Sequence, residues 1–305
     1  MNRQAIQTTE SRETRTKPDE PGRRTKRTSD ICRHFQPSLF RAGRILKSTV
    51  DCAKILTVTA DVDEACRMMM CTMQYPETSP SWQVVVHRGG RQIGGTCIEV
   101  SSGTTRIILD AGLPLDALIE SASPAPDVPG LFGPGRPVDG LFLSHAHADH
   151  SGLIAATRAE VPVWMSEGTS KMLLAGSLFA RQPEVPRNRC NILVPGRPVE
   201  VGPFRVTAIP VDHSVYDAMA FLVEAEGKRL LYTGDLRFHG RKAGMGRHLL
   251  DVAKSAPLDV LVIEGTRLGG RENEPNLSEQ ELEAQITADL RTAEGPALAM
   301  YSPLN

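Results

Sequence analysis

The feature that most constrains this chain is a run of six residues, His145-Ala146-His147-Ala148-Asp149-His150, set directly behind the apolar segment "GLFL". Three imidazoles and a carboxylate at that density are nitrogen and oxygen donors of the kind that zinc takes. The apolar residues ahead of them read as a buried strand, so the donors lie on a polar loop that leads into a helix over "SGLIAAT". A solvated loop or a helix cap would account for the same letters. The metal reading makes a further demand, because one loop cannot close the coordination shells of two ions and needs partners arriving from other strand ends.

The rest of the chain contains such ends. "WQVVVH", "TCIEV" and "TRIILD" read as strands, with "SSGT" as the tight turn between the second and third, and Asp110 closes the last of them. After a Pro/Gly-rich loop over residues 123–137 and the donor loop, "VPVWMS" is a strand and "GTSKMLLAGSLFARQ" a helix. "FRVTAIPVDH", "AMAFLVEA", "KRLLYTGD" and "LDVLVIEGT" follow as strands, the middle pair turning at Gly227. His213 ends the first of these and Asp235 the third. Either alone is weak, since a strand-end histidine is commonly structural and Gly-Asp commonly marks a turn. Ser278 with Glu281 forms a capping box for a helix over 278–293, and "ALAMYS" begins one more strand. Strands grouped with intervening helices predict an α/β fold in which two sheets are sandwiched between helices, α/β/β/α.

Length and composition limit the alternatives. A chain of 305 residues with 40% hydrophobic and 23% charged residues can bury a full core in one large or two modest domains. Residues 1–30 hold eight Lys/Arg and five Asp/Glu and few large aliphatic side chains, so they cannot offset their ordering entropy. Residues 31–80 show no clean period, and the stretch 1–81 is expected to be a poorly ordered extension ahead of the domain. The net charge of -1 gives no argument of its own for nucleic acid. Six cysteines without a Cys-x-x-Cys spacing suit reduced thiols and a cytoplasmic location. No apolar run approaches the ~18 residues of a membrane helix. Cys97, His87 and Met172 are assigned to packing, His239 and His248 to surface or structural roles, and Cys190 to an inert position in a polar loop.

Taken together, "LSHAHADHSG", "DHSVYDAMAFLVE" and "LLYTGDLRFHG" resemble the motifs of the metallo-β-lactamase superfamily. Within it the likeness is to the β-CASP branch, which includes ribonuclease J, the cleavage and polyadenylation endonuclease and Artemis-like DNA nucleases. "VHRGGRQIGGTCIEV" followed by "RIILDAGLP" also resembles the opening strands of that branch. The resemblance implies two zinc ions, one held by His145, His147 and His213, the other by Asp149 and His150, with Asp235 bridging. It implies that Asp110 orients a metal-bound residue, and that Glu264 is the acidic residue marking the β-CASP branch. Asp149 and Asp110 are accordingly the candidate catalytic carboxylates.

No histidine follows His248, although members of the superfamily give the second zinc another histidine beyond the bridging aspartate. In compact members, such as glyoxalase II and lactonases, that residue comes soon after; in the β-CASP branch it lies beyond an inserted domain. The expectation is therefore a metallo-β-lactamase domain over 82–296, incomplete at its C-terminus, and the start of a truncated β-CASP domain over 297–305. The implied activity is hydrolysis of RNA, or DNA, phosphodiesters by metal-activated hydroxide, exonuclease or endonuclease, with RNA or single-stranded nucleic acid as partner, a homo-oligomer as a possible state, and reduced or no activity in a fragment. A small-molecule hydrolase of the thioesterase or lactonase type, or a non-catalytic zinc-binding fragment, are the other classes that these residues permit.

Overall fold

The computed structural model describes residues 82–115, 125–179, 182, 185–266 and 277–298. The extension expected over 1–81, and the strand expected at "ALAMYS" from residue 299 onward, lie outside the described residues.

In the first sheet, β1 (Gln83–Arg88), β2 (Cys97–Ser102) and β3 (Thr105–Leu109) run antiparallel, and β4 (Gly140–Phe142), β5 (Val163–Ser166) and β6 (Cys190–Leu193) extend it in parallel from β3. The second sheet has the order β11-β10-β9-β8-β7. Here β7 (Val199–Val201), β8 (Phe204–Pro210), β9 (Met219–Ala225) and β10 (Lys228–Tyr232) are antiparallel, and β11 (Val260–Val262) joins β10 in parallel. The β9–β10 hairpin turns on Glu226 and Gly227, both with positive φ (52° and 73°), a backbone twist matched to the flanking strands.

Alternation along the strands sorts the core into layers. Ile107 and Leu109 of β3, Phe142 of β4, and Met219, Phe221 and Val223 of β9 form one buried cluster joining the two sheets. Phe142 meets Phe221 edge to face at 5.8 Å, and burial of each such ring contributes about 1.5–3 kcal/mol. The intervening residues Ile108, Ala220, Leu222 and Leu231 belong to a second cluster with Leu173 of helix α2 (Glu167–Phe179) and Leu249 and Ala253 of α3 (Ala243–Lys254). Two sheets face to face with helices on the outer surfaces are the α/β/β/α arrangement expected from the sequence.

Some details differ. The helix expected over "SGLIAAT" divides into α1 (Ala148–Ser151) and a single 3-10 turn at Ile154–Ala156. The N–H of Leu153 donates to Ala111 O at 2.8 Å instead of continuing the helix. Asp149 and His150 therefore lie on a short helix, not on the polar loop. Strands β6 and β7 escaped the sequence reading, and Cys190, assigned to a polar loop, opens β6 in register with Val163. Backbone pairing to β5 sets that assignment, and side-chain pattern carries no trace of it. Helix α4 (Glu279–Thr292) starts as expected: Ser278 Oγ accepts from Glu281 N at 3.2 Å, and Glu281 Oε2 accepts from Ser278 N at 2.8 Å. Among the described residues, no helix is long and apolar enough to cross a membrane.

Candidate metal centre

Strand β4 is buried throughout and carries the chain through Ser144 and His145, both fully enclosed, to His147 at the N-cap of α1. The segment after β3 clamps that turn through its backbone. Asp110 N donates to Phe142 O (2.9 Å), Ala111 N to His150 O (2.8 Å) and Leu113 N to Ala148 O (2.8 Å). Gly112 is the point of closest approach: a Cβ there would lie 1.7 Å from Asp149 O, so only glycine lets the two segments touch.

The second sheet contributes from the opposite side. His213 follows β8 and Asp235 follows β10, and the residues beside them are tied together. The buried Asp212 accepts from Arg237 Nε (3.1 Å) and Lys242 N (3.0 Å), while Arg237 N donates to Asp212 O (2.8 Å). Gly234 adopts φ +55° where the Asp235 loop crosses Ser144; a Cβ there would stand 2.9 Å from Ser144 Cβ. Glu264, just beyond β11, accepts from Leu236 N (3.0 Å) and from Thr266 N (3.3 Å), which fixes the backbone beside Asp235.

These supports bring the six ligand-type side chains to one rim. The ligating atoms of His145, His147 and His213 lie within 4.8 Å of one another, as do those of His145, Asp149 and His150. His213 Nε2 stands 3.2 Å from His147 Nδ1 and 3.7 Å from Asp235 Oδ2. His150 Nε2 stands 3.2 Å from Asp235 Oδ1 and 3.7 Å from Asp149 Oδ2. Asp235 thus faces both groups, and His145 borders both. Asp235 itself, like Glu264, His239 and His248, falls in neither group, and its place at the rim rests on its distances to His150 and His213. Glu264 instead lines the cavity that opens beside Asp149, His150 and Asp235. His248 sits on α3 with its side chain exposed.

The electrostatics are those of a cation site. His145 is pushed well below its ordinary pKa by burial and by His150, His213 and His147, so it is a neutral donor. Burial takes His213 down to about 4, with Asp235 opposing and His147 adding to the shift. Burial would raise Asp235, but its hydrogen bond to His150 and the nearby histidines hold it below its ordinary value. Burial and the charge of Asp235 together push Glu264 up. His145 Nε2 is buried and has no hydrogen-bond partner. A lone pair sealed from water and left unmatched is costly in a protein interior, and a divalent cation among these imidazoles and carboxylates matches it. The residues fit the metal. The cysteines stay apart: burial pushes Cys97 up to about 12 and raises Cys190 as well.

Behind the rim lies a layer that sequence reasoning recovered only in part. Asp110 is fully buried with φ +63°. Its Oδ1 accepts from Ser144 N (2.7 Å), and its Oδ2 accepts from Ser144 Oγ (2.7 Å), His150 Nδ1 (2.7 Å) and the Tyr232 hydroxyl. Asp110 was legible as a strand-end carboxylate. Ser144, Tyr232 and Asp212 carry no mark of this role in the sequence beyond a tyrosine that ends the aliphatic strand "KRLLY" three positions before Asp235.

Fold and site together define a class, proteins built from two packed sheets with a histidine-rich centre at the strand ends. Residues 105–295 match the model of the Beta-lactamase superfamily domain, and the chain belongs to that superfamily. It is 28% identical over 201 residues to the probable RNase MJ4 of Methanocaldococcus jannaschii, an alignment covering 60% of this chain and 45% of that protein. It is 26% identical over 214 residues to ribonuclease J 2 of Streptococcus pyogenes, covering 68% of this chain and 38% of that protein. A solved structure of a protein of unknown function from Enterococcus faecalis superposes with a TM-score of 0.58 at 27% identity, over 69% of this chain and 57% of that one. The chain thus spans less than half the length of the two curated relatives.

Proposed function

We propose that this chain carries the metal-binding portion of a zinc-dependent ribonuclease of the ribonuclease J type, in the β-CASP branch, which hydrolyses RNA phosphodiesters. The metallo-β-lactamase domain of this reading spans residues 82–296. The observation that carries the hydrolase part is the convergence of His145, His147, Asp149, His150, His213 and Asp235 around a buried, unpartnered His145 Nε2. The choice of RNA is supported by the names of the relatives.

In this reading His145, His147 and His213 hold one ion, Asp149 and His150 hold the other, and Asp235 serves both. A metal bound at these residues would supply Lewis acidity, lowering the pKa of water and offsetting charge on a phosphoryl group. His145 and His213 present neutral imidazole nitrogen, Asp235 stays ionised between the two groups, and the buried Asp110 holds the Nδ1 side of His150. Glu264 holds the backbone at Leu236 and so the approach of Asp235.

The test combines elemental analysis with turnover of fluorescent single-stranded RNA, DNA of the same sequence, and a thioester or lactone. Zinc in the purified protein, with RNA cleavage abolished by chelation and restored by zinc, supports the reading. Turnover of the thioester or lactone with RNA left intact overturns it in favour of a small-molecule hydrolase.

A further inference from the structure

Ser144 and Tyr232 touch no candidate ligand atom that faces the metal centre, yet both converge on the atoms behind it. Ser144 Oγ lies 2.7 Å from Asp110 Oδ2 and 2.9 Å from His145 Nδ1. A hydroxyl has one proton to give, and Ser144 donates it to Asp110, so toward His145 it accepts from the Nδ1–H. His150 donates its own Nδ1–H to the same carboxylate oxygen at 2.7 Å. For His145 this pairing leaves Nε2 as the lone-pair atom, and for His150 it sets the ring so that Nε2 points at Asp235. His145 Nε2 is the buried atom without a partner, and His150 Nε2 faces Asp235 and Asp149.

Tyr232 reaches the network from the other sheet. Its ring stacks on Phe221 in the inter-sheet core, and its hydroxyl donates to Asp110 Oδ2. The carboxylate oxygen that orients His150 is therefore itself held from the sheet that delivers Asp235. A fully buried residue at φ +63° adopts a backbone conformation that side chains other than glycine rarely take, and it persists where its surroundings determine it.

We propose that Ser144 and Tyr232 are positioning residues, Ser144 acting on His145 directly and on His150 through Asp110, and Tyr232 acting on His150 through Asp110. Ser144 aims the Nε2 atoms of both His145 and His150 into the metal centre; Tyr232 aims that of His150 alone. The proposal rests on the metal reading given above. It makes the hydroxyl of Ser144 a hydrogen-bonded link between the two ligand groups, and it separates two variants by which group each disturbs.

The experiment titrates cobalt(II) alone into the metal-free 305-residue chain and into Tyr232→Phe, Ser144→Ala, Ser144→Thr and His150→Ala, following the visible absorption bands. Thermal melting of each metal-free protein is recorded alongside. Losing a partner behind a ligand lowers metal affinity about 10–100-fold. Tyr232→Phe is expected to weaken by that factor only the cobalt whose spectrum responds to His150→Ala, and Ser144→Ala both cobalts. Ser144→Thr, which keeps the hydroxyl, is expected to bind as the parent does. If Tyr232→Phe and Ser144→Ala lower the melting temperature but bind cobalt like the parent, or if Tyr232→Phe weakens both ions equally, the proposal fails while the metal reading stands. If the parent itself takes up no cobalt, the metal reading fails and the proposal with it.

Discussion

His213 stands 66 positions beyond His147, yet its Nε2 lies 3.2 Å from His147 Nδ1. Two imidazoles held nitrogen to nitrogen across a sheet boundary repel when both are protonated and chelate when both are neutral. His147→Ala or His145→Ala is therefore expected to remove at least one zinc per chain by elemental analysis. Zinc added to the metal-free parent should raise its melting temperature, since a ligand that binds only the folded state stabilises it. Unchanged zinc content in both variants would refute the ligand assignment.

Gly112 tests the packing that makes the site. Because a Cβ there would meet the Asp149 carbonyl at 1.7 Å, Gly112→Ala must push the segment after β3 away from α1. A loss of about 1–3 kcal/mol or more in urea unfolding is expected from such overpacking. Zinc content should fall with it, since Asp110 and Asp149 lie on the two segments being separated.

Glu99 gives a pH prediction independent of the metal. Burial alone would raise its pKa, but hydrogen bonds from Arg106 (2.7 and 2.9 Å) and His87 (2.9 Å) outweigh it and hold the carboxyl at about 2. A carboxyl depressed in the folded state adds stability that is fully present above its unfolded pKa. That stability is lost as pH falls from the unfolded value of 4.5 through about 2. Glu99→Gln is expected to be less stable than the parent near neutral pH by up to about 3 kcal/mol. The gap should close toward pH 2, as read from denaturant unfolding across that range.

Asp212 carries the register between the His213 and Asp235 loops. Asp212→Ala strips Arg237 Nε and Lys242 N of their acceptor, and loss of a part-buried hydrogen bond to a charged group costs about 1.5–3 kcal/mol. Weaker zinc binding is expected, with the ligands themselves intact. A variant that loses stability while keeping full zinc affinity would show that Asp212 braces the fold and not the site.

How much of this was legible follows from range in the chain. The period-2 runs around Ile107 and Phe221 gave the two-sheet architecture, and Ser278 with Glu281 gave the start of α4, because each signal lies within a few residues. The division of the helix after His150 was invisible, since it depends on Ala111 capturing the N–H of Leu153 from 42 positions away. Likewise Cys190 looked like a loop residue until pairing with β5 made it a strand.

Chemistry of the donors was settled by the sequence itself: three imidazoles and a carboxylate within six residues, with His213 and Asp235 at the ends of later strands. Tertiary structure alone decided which atoms meet. A carboxylate at Asp110, a hydroxyl at Ser144 and a phenol at Tyr232 are ordinary letters when read in line. They form one network only because two sheets pack face to face and exclude water from the space between them, where each buried polar group must find its partner in another strand.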